Sequence, residues 1–367
     1  MKNFSIVGTY RSPFMDWFIR GIKAQFINKG YTYMDLPLGD IKLVFNLVEP
    51  ERPRPFRRQA QATFVVSIIE RDIQNEEDHT ENMFKVAYPY LIQTLANHLL
   101  CIARSKDRSM IYFITPEQGC YRLPYSFGEE EQLFEAVYQR LEPLASSNLV
   151  IDNYFEPDLP QELWEGDGIT QQMYRAGQRL DEMNLLPAPF PIKEYLSERD
   201  LRHLHKLYGI GGLSYGNLSS RRDAHTFWMS ASGVNKSKLK TIGQDILLIK
   251  DYDHDRNGMR ISVPPHVQPK RASVDAIEHW MIYRQHPEVG AIVHIHAWMD
   301  GVKETEINYP CGTIELAKTV AQLVSESENP AQTVIGLKNH GLTITGRDLD
   351  DIFDRIEGRI IPQVPMT

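Results

Sequence analysis

Two histidines one residue apart, His294 and His296, close an apolar run that begins at Gly290. Side chains alternate across a strand, so both imidazoles project from one face at a separation suited to a single metal ion. Neutral imidazoles are common ligands for zinc and for neighbouring divalent metals. Two hydrogen-bonded histidines at a strand end share the same tripeptide, so His-x-His alone leaves both readings open.

Three further stretches bear on the choice. Residues 331–346 read as a strand, a glycine-containing turn and a second strand, which places His340 at the turn. Ser273-Val274-Asp275 opens a helix running to about His286, with Ser273 as N-cap and Asp275 in the first turn. Gly216 and Asn217 precede a strand, and Ser230 to Lys236, with Ser232 and Gly233 inside it, is a small-residue loop able to present backbone N–H groups to an anion.

In this order and spacing the four stretches resemble the class II aldolase/adducin family, whose members include fuculose-phosphate aldolase and ribulose-phosphate 4-epimerase. The resemblance covers roughly residues 186 to 360, about half the chain. It implies an α/β/α domain with a central, mainly antiparallel sheet. It also implies that His294, His296 and His340 hold a catalytic divalent ion with one position left open, zinc first, with Mn2+, Co2+ or Fe2+ as alternatives. In the family that ion binds the carbonyl and adjacent hydroxyl of a sugar-like substrate and stabilises the enediolate formed when a C–C bond breaks. Asp275 stands where the aldolases carry glutamate and the epimerase aspartate, and so would serve as a fourth ligand or a proton carrier. Without the resemblance Asp275 is a helix-start acid favoured by the helix dipole, worth ~0.3–1 kcal/mol. Glu278 and His279 follow on the same helix, where His279 packs or hydrogen-bonds near the site rather than binding the ion. Gly216, Asn217, Ser232, Gly233 and Ser273 align with positions that cradle a substrate phosphate, although Val274 replaces the second serine that family members have before the acid.

Two departures concern the proton donor. The segment between His296 and the helix starting near Gly312 is shorter than in the aldolases, and the chain stops soon after a helix that begins near Asp348. Those regions supply tyrosines as acids in the aldolases. Tyr309, Lys303, Glu304 or a group from the N-terminal half remain open as substitutes. The resemblance further implies a homo-oligomer, a cyclic tetramer with sites at subunit interfaces. The leading reading is a lyase doing aldol or retro-aldol chemistry. Epimerisation, dehydration or decarboxylation at the same site, and a non-catalytic adducin-like interaction module, are the rivals.

The elements that must position these residues belong to a chain of 367 residues, long enough for two cores. Hydrophobic residues make up 42% and charged residues 24%, so no large disordered portion is required. A formal charge of −8 argues against a nucleic-acid binder, since no broad basic surface is available for phosphates. The start of the chain lacks a signal-peptide pattern, and no run approaches the ~20 apolar residues that span a bilayer. A cytoplasmic location, no membrane and a small-molecule substrate are the expectation. Cys101, Cys120 and Cys311 are odd in number and far apart, which predicts reduced thiols rather than a disulfide framework.

In the N-terminal half, residues 3–8 read as a strand, 13–28 as a helix, and 31–36 and 42–48 as strands, a β-α-β opening. The loop from Gly8 through Arg11 and Ser12 to Pro13 sits where many α/β domains bind ligands, but it carries no phosphate-binding motif and reads as a structural turn. Residues 49–58 are an exposed Pro/Arg loop and 72–79 an acidic solvated one. Strands at 62–70, 109–115 and 148–152, with helices at 81–103 and 129–144, complete a three-layer α/β domain. The expected division is an α/β domain over 1–155, a proline-rich connecting segment with one helix over 156–190, and the metal-binding domain over 191–367. Ser197 is an N-cap candidate for a helix over 198–208, ended by Gly209, Gly211 and Gly212. Residues 212–216 satisfy G-x-S-x-G around Ser214, but a nucleophile elbow needs a strand before and a helix after, and here the order is reversed.

Overall fold

The computed structural model describes residues 2–10, 12–36, 39, 41–60, 63–72, 80–104, 109–117, 119–126, 128–150, 152–208 and 214–367. Arg11, most of the acidic loop and the glycines after the helix ending at Tyr208 lie outside the described residues. The chain divides into two units, one of Met1–Ser146, Phe190–Leu204 and Met366–Thr367, the other of Ser147–Pro189 and His205–Pro365.

The first unit opens with β1 (Asn3–Gly8), α1 (Pro13–Asn28), β2 (Thr32–Tyr33), β3 (Leu43–Leu47) and β4 (Phe64–Asp72). It continues with α2 (Thr80–Gln93), β5 (His98–Arg104), β6 (Ser109–Thr115), β7 (Gly119–Tyr125) and α3 (Glu130–Ser146). The strands form one sheet in the order β2-β1-β3-β4-β5-β6-β7, parallel from β2 to β5 and antiparallel through β6 and β7. The crossovers β1-α1-β2 and β4-α2-β5 run in opposite directions along the sheet, so right-handed connections put α1 and α2 on opposite faces. Helix α3 joins α1, with the rings of Trp17 and Phe134 5.2 Å apart. The three-layer α/β expectation follows from that arrangement.

One sequence expectation in this unit is wrong. A single helix over 81–103 is replaced by α2, a turn with Leu95 at φ +55°, and strand β5. The run from His98 to Ala103 is buried on both sides between β4 and β6, and a continuous apolar run in a central strand has the same composition as a buried helix.

The second unit starts earlier than the sequence boundary. Strand β8 (Asp152–Glu156), expected at 148–152, pairs in parallel with a later strand from Gly258 to Ser262. Helix α4 (Gly168–Glu182) follows within the segment expected to be a connector. By contrast α5 (Ile192–Tyr195) and the first part of α6 (Glu198–Tyr208) go with the first unit, where Phe190 packs on Phe84 at 4.7 Å.

Strands β9 (Asn217–Arg221), β10 (Phe227–Ser230), β11 (Ile246–Asp253), β12 (Gly258–Ser262), β13 (Ala291–Ile295), β14 (Lys303–Glu304), β15 (Val334–Leu337) and β16 (Gly341–Gly346) complete the second sheet with β8. Its order is β14-β15-β16-β13-β9-β10-β11-β12-β8, antiparallel except at β8–β12 and β14–β15. Helices α7 (Ala276–Gln285) and α8 (Ile314–Ser325) pack together, as do α4 and α9 (Leu349–Ile356). This is the α/β/α unit with a mainly antiparallel sheet that the resemblance implies. Among the described residues no helix is long and apolar enough to cross a membrane, and Cys101, Cys120 and Cys311 form no disulfide.

Helix α4 is fixed at its start by Asp167, whose carboxylate accepts from the backbone N–H of Ile169 and Thr170 while Thr170 returns a bond to the Asp167 N–H. The same carboxylate accepts from Trp228 Nε1 on β10 at 2.9 Å. Loss of the cap and of the partner for a buried indole predicts that Asp167→Ala destabilises the protein by ~1–2 kcal/mol, read as a lower urea midpoint. A midpoint within error of the parent would show that α4 needs no capping.

Candidate metal centre

Strand β13 is buried along its whole length, and its neighbours are β16 on one side and β9 on the other. His294 stands opposite Thr343 of β16 and Asn217 of β9. The β15–β16 turn carries His340 back over the strand end, with Asn339 at φ +55°. Gly216, at φ +68°, lies against the chain at His294, where a Cβ would come within 2.3 Å of the His294 carbonyl oxygen. Only glycine permits that approach, so Gly216 shapes the backbone beside the site.

The three imidazoles converge. One nitrogen from each of His294, His296 and His340 lies within 4.8 Å of the other two, and the ring centroids are 5.0–5.1 Å apart. His294 donates from Nδ1 to the Leu342 carbonyl at 3.0 Å, which leaves a lone pair on Nε2. That Nε2 is 3.1 Å from Nε2 of His340. Two nitrogens bound at ~2.05 Å to a tetrahedral zinc stand about 3.3 Å apart, so the pair is spaced as ligands of one ion are. Burial lowers all three pKa values, His294 to about 4, His340 to about 3 and His296 well below the ordinary imidazole value; neighbouring positive groups add to the effect, while Asp275 opposes it at His340. At neutral pH the rings are therefore unprotonated, as metal ligands must be.

Asp275 is the N-cap residue of α7, but its side chain does not cap the helix. Instead Oδ2 accepts from Asn217 Nδ2 at 2.7 Å and from Ser273 Oγ at 3.3 Å, and Asn217 also reaches Ser273 Oγ at 3.1 Å. Burial raises the Asp275 pKa, against the opposing influence of His340, Asn217, Ser273 and Lys236. Three of the residues singled out in the sequence, Asn217, Ser273 and Asp275, thus form one network, coupled to His340 through charge. Ser232 and Gly233 are exposed, and the bridge between Ala231 and Ala272 runs their loop alongside Ser273. The Ser232 N–H is committed to the Arg271 carbonyl, so an anion would meet the Ser232 hydroxyl rather than its amide.

Of the proton-donor candidates, Lys303 and Glu304 lie on the exposed edge strand β14, where Lys303 pairs with Glu326, while Tyr309 is half-buried. His279, expected to pack near the site, accepts or donates at Nδ1 with Ser219 Oγ at 2.8 Å and is held neutral by burial, its pKa about 3.

Two residues carry more weight than the sequence reading gave them. Glu278, one turn after Asp275, is buried and accepts from Thr343 Oγ1 at 2.6 Å. Burial, reinforced by Asp275, pushes its pKa up to about 8. The signal was available: α7 is apolar around most of its circumference, so an acid inside it has no route to water. Lys236, in the loop after Gly233, is buried and donates from Nζ to the Ser214 carbonyl. Ser214, the centre of the G-x-S-x-G pattern, is thereby a support for Lys236 and leads directly to β9 rather than to a helix.

Buried polar atoms without a hydrogen-bond partner gather here. Among the described residues Asn217 Oδ1, Glu278 Oε2, His279 Nε2 and His296 Nδ1 are in that condition. Folded proteins pair nearly all such atoms, and a cluster of exceptions marks a place built for something other than stability. An imidazole nitrogen of this kind beside two converging rings fits the donor set a divalent ion requires.

Residues 201–299 match the family model described as Class II Aldolase and Adducin N-terminal domain. Over 93 residues the chain is 33% identical to the L-fuculose phosphate aldolase of Methanocaldococcus jannaschii, covering 22% of this chain and 51% of that protein. Over 144 residues it is 26% identical to the methylthioribulose-1-phosphate dehydratase of Stenotrophomonas maltophilia, covering 38% of this chain and 61% of that protein. The chain thus spans between 51% and 61% of the length of the curated relatives it matches. A solved structure of an L-fuculose 1-phosphate aldolase shares 18% identity over 52% of this chain and 81% of that one, with a TM-score of 0.35, and nothing further follows from a score at that level.

Glu278 and the histidines give the metal-free protein opposite pH dependences. The histidines are neutral in the folded state down to about pH 4, so their contribution is lost as pH falls below the unfolded value of about 6.5. Glu278 keeps its proton to about pH 8 when folded, so its contribution is present at low pH and is lost as pH rises toward 8. Between about pH 6.5 and 8 the second effect acts without the first. Metal-free protein should lose thermal stability across that window, and Glu278→Gln should flatten the decline. An unchanged slope in the variant would mean that Glu278 is already ionised at pH 6.5.

Proposed function

We propose that the C-terminal half, in which residues 201–299 carry a class II aldolase/adducin segment, is a divalent-metal-dependent lyase centre acting on a small hydroxy-carbonyl compound. The observation that carries this reading is the convergence of three neutral imidazoles beside a buried carboxylate. His294, His296 and His340 would hold the ion, zinc first and manganese, cobalt or iron(II) as alternatives. When bound, such an ion supplies Lewis acidity toward a carbonyl and its neighbouring hydroxyl and stabilises negative charge that develops on them.

The chain's own residues supply the proton chemistry. Asp275 is held at Oδ2 by Asn217 and Ser273, and its raised pKa brings proton uptake closer to neutrality than an ordinary aspartate allows. In a retro-aldol reaction Asp275 takes the proton of the β-hydroxyl, the C–C bond breaks, an aldehyde leaves, and the electron pair remains as an enediolate that is later protonated. Gly216, Asn217, Ser232, Gly233 and Ser273 would cradle a phosphoryl group of the substrate, a role that rests on the family resemblance.

A second reading is favoured by the dehydratase relative. There Asp275 would take the proton on the carbon next to the carbonyl, and the hydroxyl one carbon further on would leave as water. The two reactions share the metal site and differ in the bond that breaks. The aldolase reading stands first because it matches the relative of higher identity. A homo-oligomer, tetrameric in the manner of the family, and a cytoplasmic location belong to the same proposal.

Purified protein should contain about one divalent ion per chain by elemental analysis. His294→Ala and His340→Ala should weaken metal binding by more than about 100-fold, since even changes behind the ligands of such sites cost ~10–100-fold. Incubation with small ketose phosphates then separates the reactions, because an aldehyde fragment reports C–C cleavage and a dehydrated product of undiminished carbon number reports loss of water. Equal metal content in the parent and in both variants would end the reading.

A further inference from the structure

His294 is flanked on both sides by polar side chains that α7 and its N-cap hold in place. Residues directly opposite one another in antiparallel strands point to the same face, so Asn217 of β9, His294 of β13 and Thr343 of β16 stand in one row across the sheet. Each end of that row is tied to an acid. Asn217 Nδ2 donates to Asp275 Oδ2 at 2.7 Å, and Thr343 Oγ1 donates to Glu278 Oε1 at 2.6 Å. The two acids lie three positions apart, the spacing that puts two side chains on one helix face. Asp275 has a task in the lyase reading. Glu278 has none.

Glu278 reaches the His294 ring by a short path. Thr343 follows Leu342, whose carbonyl accepts the Nδ1 proton of His294 at 3.0 Å and so leaves the lone pair on Nε2. The bond from Thr343 to Glu278 therefore anchors the residue next to the carbonyl that sets the tautomer and orientation of the ring. All three side chains are sealed from water, with Glu278 2% exposed, His294 1% and Thr343 0%. A sealed carboxyl costs stability that one hydrogen bond returns only in part, and a pair of apolar side chains of the same shape would recover it. Stability alone does not account for an acid in this place.

We propose that Glu278 is a positioning residue of the metal centre, which through Thr343 fixes the Leu342 carbonyl and thereby the aim of the His294 Nε2 lone pair. This inference rests on the reading of His294, His296 and His340 as ligands of one ion. A ring free to tilt about its bond to Cβ carries Nε2 away from the direction of the ion, and groups behind the ligands of such sites are worth ~10–100-fold in affinity. The second carboxyl oxygen, Oε2, has no hydrogen-bond partner among the described residues. The anchor thus needs one acceptor oxygen and no charge, so glutamine can replace the acid and leucine cannot.

The test uses the full chain at pH 7, with the folding of Glu278→Gln, Glu278→Leu, Thr343→Val and the double variant Glu278→Leu/Thr343→Val first compared with the parent by circular dichroism. Zinc affinity is measured by competition with a chelator, and cobalt(II) is a second probe because its visible absorption reports the geometry of its ligands. Glu278→Leu and Thr343→Val should each bind zinc about tenfold more weakly than the parent and shift the cobalt spectrum, and the double variant should be no weaker than either single one. Glu278→Gln should match the parent in both readouts. Thr343→Val keeps the shape of threonine and removes only the hydrogen bond, so it carries the comparison if Glu278→Leu does not fold. Parent-level zinc affinity and cobalt spectrum in Thr343→Val, losses that add in the double variant, or a loss in Glu278→Gln equal to that in Thr343→Val overturns the proposal. A parent that binds neither zinc nor cobalt overturns the reading of the three histidines as ligands, and is distinguished from failure of this inference alone, in which the parent and Thr343→Val bind equally well.

Discussion

An imidazole binds a cation only through an unprotonated nitrogen, and burial is what keeps three of them unprotonated in one place. Removing His294, His296 and His340 from water disfavours the charged form of each, and every proton on one ring would repel protons on the other two. The surrounding strands serve that end. β13 sets two rings on one face, β16 accepts the Nδ1 proton of His294 through the Leu342 carbonyl, and the turn before β16 returns the third ring. A shift of one residue in the β13–β16 register would point His294 away from its partner and remove the Leu342 contact together.

The ionisable groups around this centre differ by environment more than by residue type. Asp275 and Glu278 lie one helical turn apart on α7, yet one is held by two polar side chains at the mouth of the network and the other is sealed behind it with Thr343 as its partner. The sealed acid, its pKa pushed up to about 8, stays neutral at pH 7. Burial raises the pKa of Asp275 as well, while His340, Asn217, Ser273 and Lys236 oppose the rise. Burial thus acts on both acids in the same direction, and what distinguishes them is the partners each one has.

Much of this was legible in the sequence, for reasons that can be named. The alternation of His294 and His296 along an apolar run is a local pattern, and α1 appears at Pro13–Asn28, the bounds the sequence reading assigned, because Ser12 caps it and Pro13 opens it. The failures are of another kind. Residues 98–103 were read as helix because burial on both faces erases the period that separates strand from helix. The strand expected at 148–152 falls instead at β8 in the second unit, and the helix expected in the connector belongs to that unit as α4, because their partners, β12 and the Lys236 turn, lie far along the chain. Lys236 itself carried no signal beyond its presence in a small-residue loop, since what makes it informative is loss of solvent, and solvent exposure depends on which segments fold over it.

The same accounting of partners separates a functional site from a structural one elsewhere in the molecule. In the first unit, the loop after β1 sits at the carboxyl ends of parallel strands, a position where α/β folds often bind ligands. There Ser12 accepts from the Met15 N–H at 2.9 Å and donates to Glu70, and Glu70 is also paired with Arg104. The positive end of α1 thus faces a carboxylate that the chain itself provides, and the polar atoms of Ser12 and Glu70 are spent on one another. At the candidate metal centre the pattern is reversed, for Asn217, Glu278, His279 and His296 each keep a buried polar atom unpaired. Leaving those atoms unsatisfied costs stability that compensation within the fold would have recovered. Polar groups satisfied in one crevice and left unsatisfied in another are the physical contrast that makes the second the candidate for chemistry.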